Sequence, residues 1–348
     1  MDPVSQGLLG TTLASSFAQK KEIKFASFCG LIGGIAPDID VLIKSDSNPL
    51  LFIEYHRHFT HSLLFVPFGG LIVSFFLYLI FYKQKKFKTI FIFTTLGFLS
   101  HGFLDSCTSY GTSLLWPFSE SRISWNIISI IDPIYTFILL LFFILSLLLK
   151  SSNYSKLGLC LSFLYLGFGL NKHIQVEKLI SKVAEDRGHK IERLLLNPTI
   201  GNVILWRSVY QFDKDYYVDA VYMPLFGKPK LKKGTKVKVI DKETVFPEIN
   251  DSLQRNDIRK FSFFSQNFIY LHPDFKYVIA DLRYGTLPHD TMSLWGIEIN
   301  PTEIDKHVTF KNLRNFKNEH YERFWDMLKG NLTQGVNVNK SNLPVEHL

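Results

Sequence analysis

The stretch EYHRHFTHSLLF, residues 54–65, sets three histidines, an arginine and a glutamate in its first eight positions. From Ser62 the chain then runs to Tyr82 without a formal charge. A run of that length matches the ~20 apolar residues that a helix needs to cross a bilayer core. Ionisable side chains therefore stand at the threshold of a candidate membrane span, and the rest of the chain is read outward from there.

The 348 residues are unevenly composed: most charges follow Lys172, while the first part is rich in Leu, Ile, Phe and Gly. The 32 phenylalanines sit largely in uninterrupted apolar runs, which suit lipid better than an aqueous core. Ser62–Tyr82 and Ile130–Leu149 are strong span candidates, the second interrupted only by Asp132 near its start. Thr89–Asp105 and Leu157–Leu170 are shorter but apolar enough to span. Val4–Ala18 and Phe25–Ile43 are weaker: both contain small residues, and APDID interrupts the second. Small residues permit close helix contact, so these two are expected inside the bundle. The expected fold is a membrane α-helical bundle of about four clear and two short or weak helices, followed by a soluble mixed α+β domain. The domain boundary falls at 171/172, giving 1–171 and 172–348.

A net charge of +8 raises the question of a nucleic-acid partner. The lysines instead gather in short loops between apolar runs, as in QKKEIK and KQKKFK, which is the pattern of cytoplasmic membrane loops. No nucleic-acid-binding signature stands out, so the expected partner is the lipid bilayer. Cys29, Cys107 and Cys160 lie in the apolar half without CxxC spacing and read as small buried hydrophobes. The segment MDPVSQGLLG lacks the basic start of a signal peptide and is expected to stay on the mature protein.

With six passes, Lys20, Lys21 and Lys24 share one side with Lys83, Lys85, Lys86 and Lys88 and with Lys150 and Lys156. That side is expected to be cytoplasmic. The opposite, external face then receives Asp2, PDID, EYHRHFTHS, the His101–Asp105 turn and Asp132. A bacterial-type cytoplasmic (inner) membrane is the expected location, with the polar cluster and the C-terminal domain outside.

Beyond Asn171, KHIQVEKLISKVAEDRGHKIERLL reads as a charged amphipathic helix leaving the membrane. NVILWRSVYQF and YYVDAVYMP read as strands, and KPKLKKGTKVKVID as a basic hairpin turning at Gly234. FSFFSQNFIYLHP and YVIADLRYG supply further strand or mixed material.

The cluster itself is suited to metal chemistry. Histidine is the commonest protein ligand for zinc and similar ions, and a neighbouring carboxylate completes a hydrolytic site. In HGFLD, His101 and Asp105 stand one helical turn apart and share a face. In APDIDVL, the proline breaks the helix and sets Asp38 and Asp40 near the external mouth. Each group alone has a plainer reading: loop histidines at a boundary, a polar pair within a bundle, acids beside a proline, and Asp132 capping the following helix. Their joint placement on one leaflet favours a single site, because polar groups at membrane depth are costly and tend to be functional.

MDPVSQGLLG, APDIDVL, HRHFTHSLL, HGFLDSCTSYGTSLLWPFS and IIDPIYT follow one another as in the YdjM-like family of membrane-bound metal-dependent hydrolases. The resemblance covers about residues 1 to 150, and NPTIGNVILWRSVY resembles the extension of longer members. It implies a reaction class and no substrate. The family's His-Arg-x-x-Thr-His-Ser pattern falls on His56, Arg57, Thr60, His61 and Ser62. Its His-x-x-x-Asp falls on His101 and Asp105, and its Pro-Asp-x-Asp on Pro37, Asp38 and Asp40. Two positions depart: Gln6 stands where members have histidine, and His58 where they have glycine.

The expected ligands are thus His56, His61, His101, Asp105, Asp38 and Asp40, with Arg57, Thr60 and Asp132 as catalytic groups. The expected cofactor is a divalent ion, zinc before manganese. The resulting expectation is hydrolysis of an ester or phosphoester of a lipid or envelope metabolite at the external face. The alternatives are a proton- or ion-coupled transporter or channel using the same cluster, and a membrane scaffold with a vestigial site.

Overall fold

Gly10, Gly30 and Gly97 bring three helices into main-chain contact. They lie on α1 (Pro3–Ser16), α2 (Ile23–Ile35) and α5 (Phe87–Ser106). A Cβ on Gly30 would sit 2.3 Å from the Gly10 carbonyl oxygen, and one on Gly97 2.3 Å from that of Gly30. Only glycine allows this approach, which is how lipid-embedded helices commonly pack. α1 is buried along most of its length, as a helix inside the bundle should be. Asp2 caps it, accepting from the Ser5 N–H at 3.0 Å, and Pro3 occupies its first position, where no N–H is missed.

The computed structural model describes residues 1–332; the end of the expected C-terminal domain, 333–348, lies outside the described residues. After α2 the chain passes through a 3-10 turn, Ala36–Leu42, then α3 (Leu51–Tyr55) and a short 3-10 turn, Phe59–His61. α4 (Val66–Phe81), α6 (Pro133–Leu149) and α7 (Ser152–Asp186) are the remaining helices up to the first strand. Exposed Phe68, Phe75, Phe76 and Ile80 on α4 form the kind of apolar surface a bilayer covers.

Several details differ from the sequence expectation. Ile23–Leu42, read as weak because of APDID, is one of two helices among the described residues that are long and apolar enough to cross a membrane; Phe87–Ser106 is the other. The 3-10 turn continues α2 through the proline instead of ending it. Ser62–Tyr82 is not one straight span: the helix starts at Val66, and Leu51–His61 meets it at 90°. Pro67 has no N–H to give a preceding turn and so sits at the helix start. Leu157–Leu170 is part of one 35-residue helix, α7, because charged residues from Lys172 onward continue a helix as well as apolar ones do. Cys29 and Cys107 are buried, whereas Cys160 is exposed on α7.

The chain divides into two compact units, Met1–His173 with Ile200–Val203, and Ile174–Thr199 with the chain from Ile204 onward. The second unit holds two four-stranded antiparallel sheets. β1 (Arg193–Pro198), β2 (Leu205–Phe212), β3 (Asp215–Tyr222) and β4 (Lys230–Lys238) form the first, in sequence order. β5 (Ile269–Leu271), β6 (Val278–Asp281), β7 (Trp295–Glu298) and β8 (Thr309–Asn312) form the second. Leu195, Val209 and Val218 of the first sheet share a core with Tyr270 and Ala280 of the second. α8 (Leu253–Phe264) and α9 (Asn318–Leu328) complete the unit.

Gly234 is not a turn. It lies inside β4, where a Cβ would come 2.0 Å from the His289 carbonyl oxygen and 2.2 Å from that of Val218. The pairing of β3 with β4 shifts register between Tyr217 and Asp219. A glycine inside a strand often marks such a bulge or close approach.

Candidate metal centre

The 3-10 turn that continues α2 through Pro37 sets Asp38 and Asp40 beside α5. On α5, His101 and Asp105 are fully buried and one turn apart. The segment after α3 brings His56, Arg57, Thr60 and His61 to the same place. Arg57 takes φ 61°, a left-handed conformation that costs a non-glycine residue ~1 kcal/mol or more. That turn lets one residue reach two carboxylates: its N–H donates to Asp40 Oδ2 at 3.0 Å, and its Nε lies 3.2 Å from Asp105 Oδ2. Its Nη1 also donates to Thr108 Oγ1 at 2.9 Å.

Asp38, His61, His101 and Asp105 each offer one ligand atom, all within 4.8 Å of one another. The two Nε2 atoms are 2.9 Å apart. Asp38 Oδ1 lies 3.5 Å from His61 Nε2 and 3.3 Å from His101 Nε2; Asp105 Oδ2 lies 3.2 and 3.5 Å from the same atoms. Neighbouring ligands around one ion, with bonds of about 2.0–2.2 Å, are separated by comparable distances.

The opposite ring nitrogens decide the protonation. His101 Nδ1 is 2.6 Å from the Gly34 carbonyl oxygen, which can only accept, so Nδ1 carries the proton. His61 Nδ1 is 2.9 Å from Thr60 Oγ1, whose hydroxyl donates to Asp40 Oδ2 at 2.7 Å, and 3.2 Å from Asp40 Oδ2 itself. Its proton therefore also sits on Nδ1. With both rings neutral, the two Nε2 atoms would present lone pairs to one another between two carboxylates. A single extra proton would serve one of these contacts; a divalent cation would serve all four atoms. The donor set fits a metal ion, and the tied Nδ1–H groups are the usual orienting arrangement of metal-bound histidines.

The remaining residues divide by what they touch. Both Asp40 oxygens are taken up, Oδ1 by His56 Nδ1 at 2.8 Å and Oδ2 by Arg57, Thr60 and His61. Asp38, Asp40 and His56 form a second group with metal-ligand spacing, sharing Asp38 with the first. Gln6 borders the cluster, its Nε2 donating to Asp105 Oδ1 at 2.8 Å, and the Met1 amino group contacts the same oxygen. His58 lies apart, its ring against Tyr55, Phe59 and Trp116.

Asp132 is not gathered with the others. It caps α6, accepting from the Ile134 and Tyr135 N–H groups, and receives the Tyr165 hydroxyl at 2.9 Å. Asp-Pro before an apolar run is itself a helix-start signal. Gly34 and Thr108 escaped the sequence reading. Gly34 acts through its carbonyl, which no residue type announces, whereas Thr108 follows Asp105 by three residues and its hydroxyl donates to the Asp105 carbonyl.

Access is one-sided. The Asp38 side chain is 23% exposed, against 0% for both histidines and 1% for Asp105.

A family model described as "YdjM inner membrane protein" matches residues 1–176, which include every residue of the cluster. The Bacillus subtilis protein YfhP, described as uncharacterized, is 31% identical over 188 residues, 54% of this chain and 56% of its own length. The Escherichia coli inner membrane protein YbcI is 33% identical over 111 residues, 30% of this chain and 61% of its own length. The matched parts thus cover little more than half of each relative. No solved structure matches the chain.

Proposed function

The chain belongs to the YdjM inner membrane protein family, and we propose that it is a membrane-bound, metal-dependent hydrolase of an ester or phosphoester. The observation that carries this reading is the pair of Nε2 atoms 2.9 Å apart between two carboxylates, with both Nδ1 atoms engaged elsewhere. His61, His101, Asp38 and Asp105 would hold the ion, and zinc suits two imidazoles with two carboxylates better than manganese does. When bound, such an ion polarises a scissile carbonyl or phosphoryl group and lowers the pKa of water.

The chain's own residues do the rest. Thr60 and Asp40 hold the His61 ring with Nε2 inward, and the Gly34 carbonyl does the same for His101. Arg57, anchored on Thr108 and Asp105, keeps a guanidinium at the rim of the centre, where it can pair with a phosphoryl oxygen. Burial on three sides excludes bulk water from the histidines. The substrate approaches from the side of Asp38, and we place that side on the external face of the membrane from the distribution of loop lysines.

The test joins metal analysis of the detergent-purified protein to a panel of chromogenic carboxylic esters, phosphomonoesters and phosphodiesters. Stoichiometric metal with turnover on one class, both lost in His61→Ala, supports the reading. The 90° break between His61 and Val66 favours a second reading, because broken helices beside polar sites are common in transporters. Metal-independent proton flux in liposomes, with no turnover on the panel, would establish that reading instead.

A further inference from the structure

The second unit contains a cleft that the membrane-half chemistry leaves unused. It is about 510 Å³ in volume and is lined by Arg187, His189, Tyr217, Asp219, Lys233 and Lys236, among others. Its wall is aromatic. Tyr210 and Tyr217 stack at 5.1 Å with their rings 11° apart, and His189 stacks on Phe212 at 4.4 Å and leans on Tyr217 at 4.5 Å.

Its floor is a buried ion pair. Asp219 is 2% exposed, and both its oxygens are used: Arg187 Nη1 donates to one at 2.6 Å and the Gly234 N–H to the other at 3.0 Å. Arg187 Nη1 also reaches the Tyr210 hydroxyl at 2.9 Å, and His189 Nδ1 shares that hydroxyl at 2.9 Å. The guanidinium is thereby fixed, while its Nε and Nη2 make no hydrogen bond among the described residues. Lys233 has no hydrogen bond or ion pair among the described residues. Lys236 shares Asp215 with Lys238, each at 3.0 Å. Three cations thus border the cleft, against Asp219, which is spent on the floor, and a rim Asp215 divided between two lysines. His189 feels the excess: burial first, and then Arg187, Lys236 and Lys233, hold it below its ordinary range.

We propose that this cleft binds a phosphate-bearing small molecule. The free edge of the Arg187 guanidinium grips two phosphate oxygens, Lys233 and Lys236 neutralise the remainder, and Tyr217 offers an apolar wall to the group that carries the phosphate. A phosphate suits this arrangement better than a carboxylate, because a fixed guanidinium edge and two separate ammonium groups need more than two acceptor oxygens. A free phosphate ester and a lipid headgroup share this chemistry.

Isothermal titration of the full chain in phosphatidylcholine nanodiscs, with inorganic phosphate, glycerol 3-phosphate and malonate as probes, tests the assignment. Saturable binding of a phosphate probe is expected, weakened about tenfold by Lys233→Ala, which removes a charged hydrogen-bond partner, and by Arg187→Lys, which keeps the charge but loses the two-donor guanidinium edge. Lys238→Ala and His61→Ala should leave it unchanged, the second because the membrane-half centre takes no part. Repeating the titration in phosphatidylglycerol nanodiscs separates the two sources. Suppressed binding there identifies a lipid headgroup, and unchanged binding a soluble ester. No saturable binding of either phosphate probe, malonate binding as tightly as phosphate, or equal loss with Lys238→Ala would overturn the proposal.

Discussion

His61 Nε2 and His101 Nε2 face each other at 2.9 Å across a gap that two carboxylates close. In the proposed centre, removing either ring would take away one donor and leave the others mispositioned around an ion. His61→Ala and His101→Ala are each expected to abolish stoichiometric metal, read by elemental analysis after purification. Asp40→Asn and Thr60→Ala, which loosen only the His61 ring, should weaken metal affinity by about 10–100-fold. Full metal occupancy in both alanine variants would dismiss the centre.

Arg57→Lys should separate rate from metal. A lysine keeps a positive charge near Asp105 but loses the planar fork that also holds Thr108. Metal content is expected to stay at the wild-type level while turnover on the ester identified by the panel falls about tenfold or more. Loss of metal together with activity would show that Arg57 builds the centre and does not serve the reaction.

Gly30→Ala should loosen the bundle. The new Cβ would meet the Gly10 carbonyl oxygen at 2.3 Å and Ala14 Cβ at 2.6 Å, an overpacking that typically costs about 1–3 kcal/mol. A lower melting temperature in detergent is expected, with weaker metal binding because α2 leads into the turn that holds Asp38 and α5 holds His101 and Asp105. Gly167→Ala, where nothing lies within 4 Å, is the control and should melt at or above the wild-type temperature.

The orientation is testable in a cysteine-free background. A cysteine at exposed Ser121 should react with an impermeant maleimide in intact spheroplasts, and one at exposed Gln84 only after lysis. The loop lysines motivate this order. Labelling at position 84 in intact spheroplasts would reverse the assignment.

His289 should shape the acid limb of stability. Its Nδ1 is buried without a hydrogen-bond partner among the described residues, and burial, then Lys232, Arg323 and Arg207, lower its pKa to about 4. Between about 6.5, the ordinary histidine value, and about 4, the unfolded chain takes up a proton that the folded chain refuses. Stability therefore falls as pH drops through that window and levels off below it. His289→Gln should flatten the slope in denaturant titrations followed by tryptophan fluorescence, with Trp206 wholly buried as one reporter. An unchanged slope would show that other groups set it.

The sequence made some of this readable, and for physical reasons. Charge-free length distinguishes lipid-facing segments, and i, i+4 spacing puts His101 and Asp105 on one face whatever the surroundings. Asp38 and His61 lie beside them because the 3-10 turn at Pro37 carries α2 on toward α5 and a 90° bend before Val66 brings His61 alongside. What stayed hidden depends on atoms that residue letters do not encode. The Gly34 carbonyl orients His101, Asp40 spends both oxygens on its neighbours, and Gly234 answers carbonyls brought from elsewhere in the fold. Asp132 looked like chemistry in a list of acids at one membrane face. The proline after it had already marked it as a cap.

Of the four converging side chains, Asp38 alone meets solvent, at 23% exposure. Traffic at the proposed centre would therefore be governed by one carboxylate. An ion loading, an ion leaving and a chelator arriving all have to swing the same short side chain aside, so exchange should be slow and set by its rotamer. Occupancy and exchange rate would then be separable properties of the proposed site: His61 and His101 would govern how tightly an ion is held, Asp38 how quickly it comes and goes.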